Sequence, residues 1–379
     1  MAISVAVPKE NARGERRVAL VPEVVSKLSK SNLRVLVEAG AGTQAFYQDQ
    51  EYEKAGAEIV KDRASLIGSA DIILSVQPLR PEDITKMKAG AIAVGFMNPF
   101  RNEEGIAAMK SAKITAFALE LVPRITRAQG MDALSSQATA GGYKAALIAA
   151  DNTPRFLPML TTAAGTIRPA KVLVLGAGVA GLMAIATSKR LGAMVEAYDV
   201  RRAAGEQVRS LGARFLELQI NAEGSGGYAR ELTPEEKRQE EAMVREAVAQ
   251  ADAIITTANI PGKRAPRLVT KEMVMSMKPG SVIVDMAAES GGNCELTKVD
   301  EVVVENGVSI FGPSNLPGQV PFHSSQMYAK NLQAFLGLLV TKEGNIVSDF
   351  SDEILTGSLL VRNGEIMYGP VKELLEGKK

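Results

Sequence analysis

One stretch near the middle of the chain, Lys171–Asp199 (KVLVLGAGVAGLMAIATSKRLGAMVEAYD), constrains the fold more than any other. Lys171–Leu175 is a short apolar run suited to a strand buried on both faces. Gly176, Gly178 and Gly181 follow with the spacing G-x-G-x-x-G. Leu182–Leu191 then has helical periodicity, Gly192 breaks it, and Met194–Tyr198 suits a second strand. The first glycine permits a tight turn, the second lets backbone approach a pyrophosphate, and the third lets helix and strand pack closely. Gly176, Ala177, Gly178, Val179 and Gly181 are therefore the candidate phosphate-binding residues, with the helix start presenting free N–H groups. Asp199 stands 23 residues after Gly176, where an acceptor bonds both ribose hydroxyls of NAD and repels the extra phosphate of NADP. A plain strand-to-helix turn in a buried core would leave Asp199 unexplained. Arg201 and Arg202 come next, and arginines there can hold a 2′-phosphate; the preference for NAD rests on Asp199 outweighing them.

A chain of 379 residues suits two domains rather than one. Apolar content of 46% with 23% charged residues describes a soluble globular protein, and a net charge of +1 gives no reason to expect nucleic acid or an anionic membrane as partner. The single Cys294 rules out an internal disulfide, as expected for a reducing compartment. Met1–Val7 lacks the features of a signal peptide, and Ala334–Val340 falls far short of the roughly 20 residues that span a bilayer. The expectation is a cytosolic chain with no transmembrane segment of its own.

Read in order, Ile3–Val7 is a first strand and Pro8–Leu20 a loop rich in charge (Lys9, Glu10, Arg13, Glu15, Arg16, Arg17). Pro22 starts a helix running to about Lys30, and Leu33–Val37 is the next strand. Strand-like runs recur at Ile72–Val76, Ala91–Gly95 and Ile114–Ala118, with helical patterns near Pro81–Lys88 and Asn102–Ser111. That alternation predicts a parallel, doubly wound sheet without a glycine fingerprint of its own. Asp132–Ala150 reads as a long connecting helix. The later strands of the fingerprint domain are Ala253–Thr257, Ser281–Asp285 and, near the edge, Val308–Phe311. Asn221–Tyr228 is a glycine-rich loop, as readily a mobile flap as a plain surface loop, and Thr233–Gln250 is a charged helix. Asn315–Pro321 reads as a second hinge and His323–Val340 as a helix returning to the first domain. The fold class is α/β with two Rossmann-like doubly wound domains and a cleft between them. The first domain, residues 1–132 plus 321–379, is discontinuous, and residues 133–320 form the dinucleotide domain.

Arg124–Ser135 collects a fork donor (Arg124), an amide (Gln129), a carboxylate (Asp132) and a hydroxyl (Ser135). Together they could grip a carboxamide, but spacing alone slightly favours a simpler role in which Asp132 or Ser135 caps the helix. The telling absence is histidine. A dehydrogenase acting on an alcohol or amino acid exchanges a proton as the hydride leaves, often through His or Lys. His323 is the only histidine and reads as structural, and one Cys with one His cannot build a usual zinc site, so no metal is expected. Hydride exchange between two nicotinamides needs no acid or base at the reacting carbons, which fits what is missing.

At this point the residues resemble a family. Over essentially its whole length the chain is similar to the NAD(H)-binding subunit (domain I, α1) of proton-translocating NAD(P) transhydrogenase. The resemblance is carried by PKE…GERRVALVP (Pro8–Pro22), VGFMNPF (Val94–Phe100), PRITRAQGMDALSSQ (Pro123–Gln137), AGGYKA (Ala140–Ala145), GAGVAGL…YDVR (Gly176–Arg201), GGYA (Gly226–Ala229), TTANIPGKRAP (Thr256–Pro266) and NLPGQVPFHSSQMYAKN (Asn315–Asn331). Alanine dehydrogenase is a close relative that shares the opening motif, the fingerprint and the NLPG-type hinge. It carries a substrate lysine and a catalytic histidine where this chain reads SVQPLRPED (Ser75–Asp83) and VGFMNPF. Neither stretch contains Lys or His; Gln77 and Asn98 are the nearest polar replacements.

The resemblance implies that Arg124, Gln129, Asp132 and Ser135 position the nicotinamide and that Asp199 binds the ribose. It places Tyr228 on a mobile loop closing over NAD(H), and Thr257 and Ala258 among the cofactor-binding residues. It further implies a homodimer, partnered by an NADP(H)-binding β subunit and a membrane-spanning subunit, with hydride transfer coupled to proton movement. The chain would then lie peripherally on the cytoplasmic face of the membrane. The competing expectations are an alanine dehydrogenase-like enzyme and a non-enzymatic NAD-sensing module.

Overall fold

The computed structural model describes residues 2–217, 233–260, 262–341 and 343–377. It divides into two compact units, residues 1–137 with 317–379 and residues 138–316. In chain order the first unit begins with strands β1 (Ser4–Val7), β2 (Arg34–Glu38), β3 (Glu58–Val60), β4 (Ile72–Leu74), β5 (Ile92–Gly95) and β6 (Thr115–Ala118). Between them lie helices α1 (Pro22–Ser29), α2 (Asp49–Lys54), α3 (Arg63–Ser69), α4 (Pro81–Ile84) and α5 (Glu103–Ser111). Helix α6 (Ala133–Asn152) leads the chain into the second unit. There it forms β7 (Leu160–Thr162), β8 (Gly165–Ile167), β9 (Lys171–Leu175), α7 (Val179–Arg190), β10 (Met194–Tyr198), α8 (Ala204–Ser210) and β11 (Arg214–Phe215). Next among the described residues come α9 (Pro234–Gln250), β12 (Ala253–Thr256), α10 (Lys271–Met275), β13 (Val282–Asp285), β14 (Val302–Glu305) and β15 (Val308–Phe311). The chain then returns to the first unit with α11 (Pro321–Leu339), α12 (Glu353–Ser358), β16 (Leu359–Arg362), β17 (Glu365–Ile366) and α13 (Gly369–Glu376).

Apart from the two-stranded β7-β8 pair, both sheets are doubly wound. The first has the order β17-β16-β6-β5-β4-β1-β2-β3, and the second β11-β10-β9-β12-β13-β15-β14. β1 pairs in parallel with β2, Ser4 opposite Arg34, and with β4, Val5 opposite Ile72. β9 pairs likewise with β10, Val172 opposite Val195, and with β12, Val172 opposite Ala253. Each chain path therefore runs outward from its first strand, then crosses back to that strand's other side. The topological switch falls between β1 and β4 in one unit and between β9 and β12 in the other.

Alternate residues of the inner strands feed different cores. Val5 and Val7 face one cluster and Ala6 the other; Val172 and Val174 face one, Leu173 and Leu175 the other. Strands covered on both faces explain the unbroken apolar runs in sequence. Each such aliphatic side chain removed from water contributes about 1.5–3 kcal/mol before entropy is counted. Helix starts are set locally: Pro opens α1, α4, α9 and α11, Asn102 caps α5 from Gly105 N–H (3.1 Å), and Thr233 and Glu236 form a capping box on α9.

The structure departs from the sequence reading in several places. The helical pattern near Pro81–Lys88 is helix only to Ile84, because Met87 turns inward and Gly90 (φ 80°) ends the segment. Val308–Phe311 lies next to the edge, as expected, and the edge itself is β14, which was not foreseen and pairs antiparallel outside it. β16 and β17 extend the first sheet antiparallel beyond β6, with Leu359 opposite Phe117. The first sheet is thus parallel through six strands and antiparallel in the two added last.

Candidate functional site

In the second unit the fingerprint forms the turn from β9 to α7. Gly176 has φ 100°, a conformation costly for any side chain, and its N–H donates to the Tyr198 carbonyl (2.8 Å). A Cβ on Gly181 would lie 1.9 Å from the Gly176 carbonyl oxygen, so only glycine lets α7 sit this close to β9. Gly178 caps α7 without any side-chain bond, leaving the first N–H groups of a 12-residue helix without a side-chain acceptor. A Cβ there would meet only Arg201 Nη2, at 4.0 Å, so backbone lies open to an approaching ligand. Val179 is 43% exposed, whereas Ala177 is buried. The Thr257 hydroxyl donates to the Gly176 carbonyl (3.0 Å), and the Ala258 carbonyl accepts from Asn293 Nδ2 (2.8 Å). These two residues lock the β12 end of the turn, across the switch point.

Asp199 follows β10, as its place in the sequence requires. Its Oδ2 accepts the Ala177 N–H (2.8 Å), which ties the acid to the turn. Its other bonds are to Arg201, whose backbone N–H (2.8 Å) and Nε (3.0 Å) reach Oδ1 and whose Nη2 reaches Oδ2 (3.0 Å). The adjacency YDVR was visible in sequence as a possible phosphate contact; its pairing with the acid was not. Tyr228 lies outside the described residues.

In the first unit, Asp132 and Ser135 adopt the capping geometry. Asp132 Oδ1 accepts the Ser135 N–H (2.8 Å) and Oδ2 the Ser135 hydroxyl (2.5 Å), just ahead of and within the first turn of α6. Capping and ligand contact do not exclude each other. Arg124 and Gln129 are exposed on the same segment. Its backbone is clamped from α11: Asn331 Nδ2 donates to the Gly130 carbonyl (2.9 Å), and Asn331 Oδ1 accepts from Ser136 Oγ (2.6 Å). Arg127 is anchored on Asp352 (2.7 Å). Nothing in the local pattern announced Asn331, 201 residues from Gly130. His323 is exposed in the first turn of α11, edge-on to Phe322.

The charged loop after β1 folds inward. Arg17 grips Glu15 with Nε on Oε1 (2.8 Å) and Nη2 on Oε2 (2.6 Å), and both side chains are almost fully buried. Gln77 Nε2 donates to Glu15 Oε2 (2.7 Å), and Gln137 Oε1 accepts from Arg17 Nη1 (2.8 Å). Burial alone would raise the Glu15 pKa, but the Arg17 hydrogen bonds and charge outweigh it and hold the carboxyl below its usual value. Glu10 accepts the N–H groups of Val76 (2.6 Å) and Gln77 (3.2 Å), and Glu120 those of Met97 (2.9 Å) and Asn98 (2.7 Å). Burial pushes each of these carboxyls up to about 7 despite those bonds. Gln77 and Asn98 therefore serve the local scaffold, Gln77 through its side chain and Asn98 through its backbone. Among the described residues no group of three or more His, Cys, Asp or Glu is placed to hold a metal ion. No helix among them is long and apolar enough to cross a membrane.

With this geometry in view, comparison with known proteins is specific. Residues 6–140 match the family described as alanine dehydrogenase/PNT, N-terminal domain, and residues 145–369 match alanine dehydrogenase/PNT, C-terminal domain. The chain is 46% identical over 365 residues to NAD(P) transhydrogenase subunit alpha of Haemophilus influenzae, covering 95% of this chain and 71% of that one. Alanine dehydrogenase of Bacillus subtilis is 31% identical over 379 residues, covering 97% and 93%. The crystal structure of transhydrogenase from Sinorhizobium meliloti superposes with a TM-score of 0.85 at 45% identity, covering 97% and 99%. The chain belongs to the alanine dehydrogenase/PNT family, and within it to the branch of the NAD(P) transhydrogenase alpha subunits.

Proposed function

We propose that this chain is the NAD(H)-binding subunit of a proton-translocating NAD(P) transhydrogenase. The observation that carries the reading is the β9–α7 turn, with its open backbone at Gly178, uncapped helix start and acid at Asp199. Those features fit a dinucleotide: the helix start suits the pyrophosphate and the acid suits the ribose. When bound, the nicotinamide supplies a hydride, exchanged with the nicotinamide of an NADP(H)-binding β subunit. This chain's residues bind and orient. Arg124 and Gln129 are exposed donors for a carboxamide, and the Asp132–Ser135 pair fixes the segment that carries them. Gly176, Ala177, Gly178, Val179 and Gly181 form the turn, Thr257 and Ala258 flank it from β12, and Tyr228 completes the proposed set. A membrane-spanning subunit couples the exchange to proton movement at the cytoplasmic face, and the chain works as a homodimer.

The experiment mixes NADH with this protein, pyruvate and ammonium, and follows absorbance. No NADH loss is expected until an NADP-binding partner and NADP+ are added. Steady loss without the partner would establish an amino-acid dehydrogenase instead and overturn the proposal.

A further inference from the structure

The carboxylate best placed for the ribose already has its hydrogen-bonding capacity filled. A carboxylate offers about four acceptor positions. Asp199 is met by Ala177 N–H and by three N–H groups of Arg201, one from its backbone and two from its guanidinium. The Asp199 side chain is 7% exposed and that of Arg201 36%, so the acid is enclosed while the guanidinium borders solvent. The Arg201 Nη2 also approaches the open face of Gly178. The fork therefore lies at the edge of the phosphate turn, across the place where ribose hydroxyls would reach the acid.

We propose that Arg201 is a specificity-determining latch: it holds Asp199 until a dinucleotide arrives, yields the carboxylate to the ribose hydroxyls, and then stands beside the 2′ position as a cation. This rests on the reading of the turn as the NAD(H) site. Two opposed effects follow. For NADH, the two guanidinium bonds must be given up, so the latch weakens binding; a partly exposed ion pair of this kind sets the effect at about fivefold. For NADPH, a 2′-phosphate would meet a fork suited to two of its oxygens, so the same arginine softens the exclusion that Asp199 imposes. Arg201 thus narrows the discrimination between the two dinucleotides from both sides.

The test titrates NADH and NADPH, read by nicotinamide fluorescence, against the full chain and its Arg201→Ala, Arg201→Lys and Asp199→Asn variants, plus the double variant. Arg201→Ala is expected to tighten NADH about fivefold and to weaken NADPH, widening their affinity ratio. Arg201→Lys should fall between, because an ammonium keeps the charge but loses the fork; it decides the matter if the alanine variant does not fold. Asp199→Asn should shift the ratio toward NADPH, and the double variant should lose most of that shift. An unchanged ratio, or weaker NADH binding in both Arg201 variants, would overturn the latch while leaving the site intact. Failure of the unaltered chain to bind NADH would overturn the site reading itself.

Discussion

The two units wind the first five strands of their sheets in the same order around the same kind of switch point, yet they use the crevice there differently. After β9 the chain turns through glycine and starts α7 at once, so backbone N–H groups and open space occupy the strand ends. After β1 it runs through a charged loop before α1, and its Glu10 and Glu15 reach across to the loop after β4 while Arg17 holds Glu15. One crevice is left open to an anion by removing side chains; the other is lined by charged and polar side chains, several of them satisfying one another, around a pocket of about 100 Å³. The winding supplies a place for a ligand, and the residues of the first loop decide what lines it.

The sharpest way to break this contrast is at the glycines. Gly181→Ala puts a Cβ against the Gly176 carbonyl, and is expected to abolish NADH binding and to cost on the order of 5 kcal/mol. Gly14→Ala in the first unit has open space around it, and its positive φ of 75° should cost only about 1–2 kcal/mol. Equal losses in denaturant titration would mean that the two turns are under the same constraint. Next comes Arg17→Met, which leaves Glu15 buried without its cation, and should cost about 3–5 kcal/mol. The double change with Glu15→Gln should recover much of that loss. If the single variant unfolds at the wild-type denaturant midpoint, the network is ornament rather than filling.

The smallest effect is electrostatic. Glu120 titrates near 7 in the folded chain against an ordinary value of 4.5, so the native state binds more protons between those values. Stability contributed this way is present at the acid end and lost as pH rises through that window, by about 1–2 kcal/mol after allowing for partial exposure. Glu120→Gln keeps an acceptor for the Met97 and Asn98 N–H groups but cannot ionise. Its unfolding midpoint should fall less steeply between pH 5 and 7 than that of the wild type. Glu10 shares the direction, so the slope should shrink rather than vanish.

The sequence showed most clearly what is local. Strands covered on both faces appear as apolar runs, and the glycine turn with Asp199 beyond it is a pattern of fixed offsets. Asp132 as a helix cap was legible for the same reason. What stayed hidden depends on partners brought together by folding: Gln137 on Arg17 across 120 residues, Gln77 on Glu15 across 62, Asn331 on Gly130. Edge strands were missed because they are short and half-solvated, so β14 shows exposed valines and β17 has two residues. Arg201 was seen beside Asp199 but read only as a rival for phosphate. A flexible side chain has no periodicity to betray which neighbour it takes.

The discontinuity of the first unit carries a consequence for the order in which the chain can fold on the ribosome. Tyr328, Leu332, Phe335 and Leu339 of α11 close the core over β1, β2, β4 and β5, and β16 completes the sheet beside β6. Those residues are synthesised only after every residue of the second unit. The first 137 residues therefore emerge with one face of their sheet only partly covered, by α1 and α2, while residues 138–316 can bury both faces of theirs as soon as they are released. The unit whose synthesis starts first is the last to finish folding, and its exposed strands must be kept from other chains while the fingerprint unit is made.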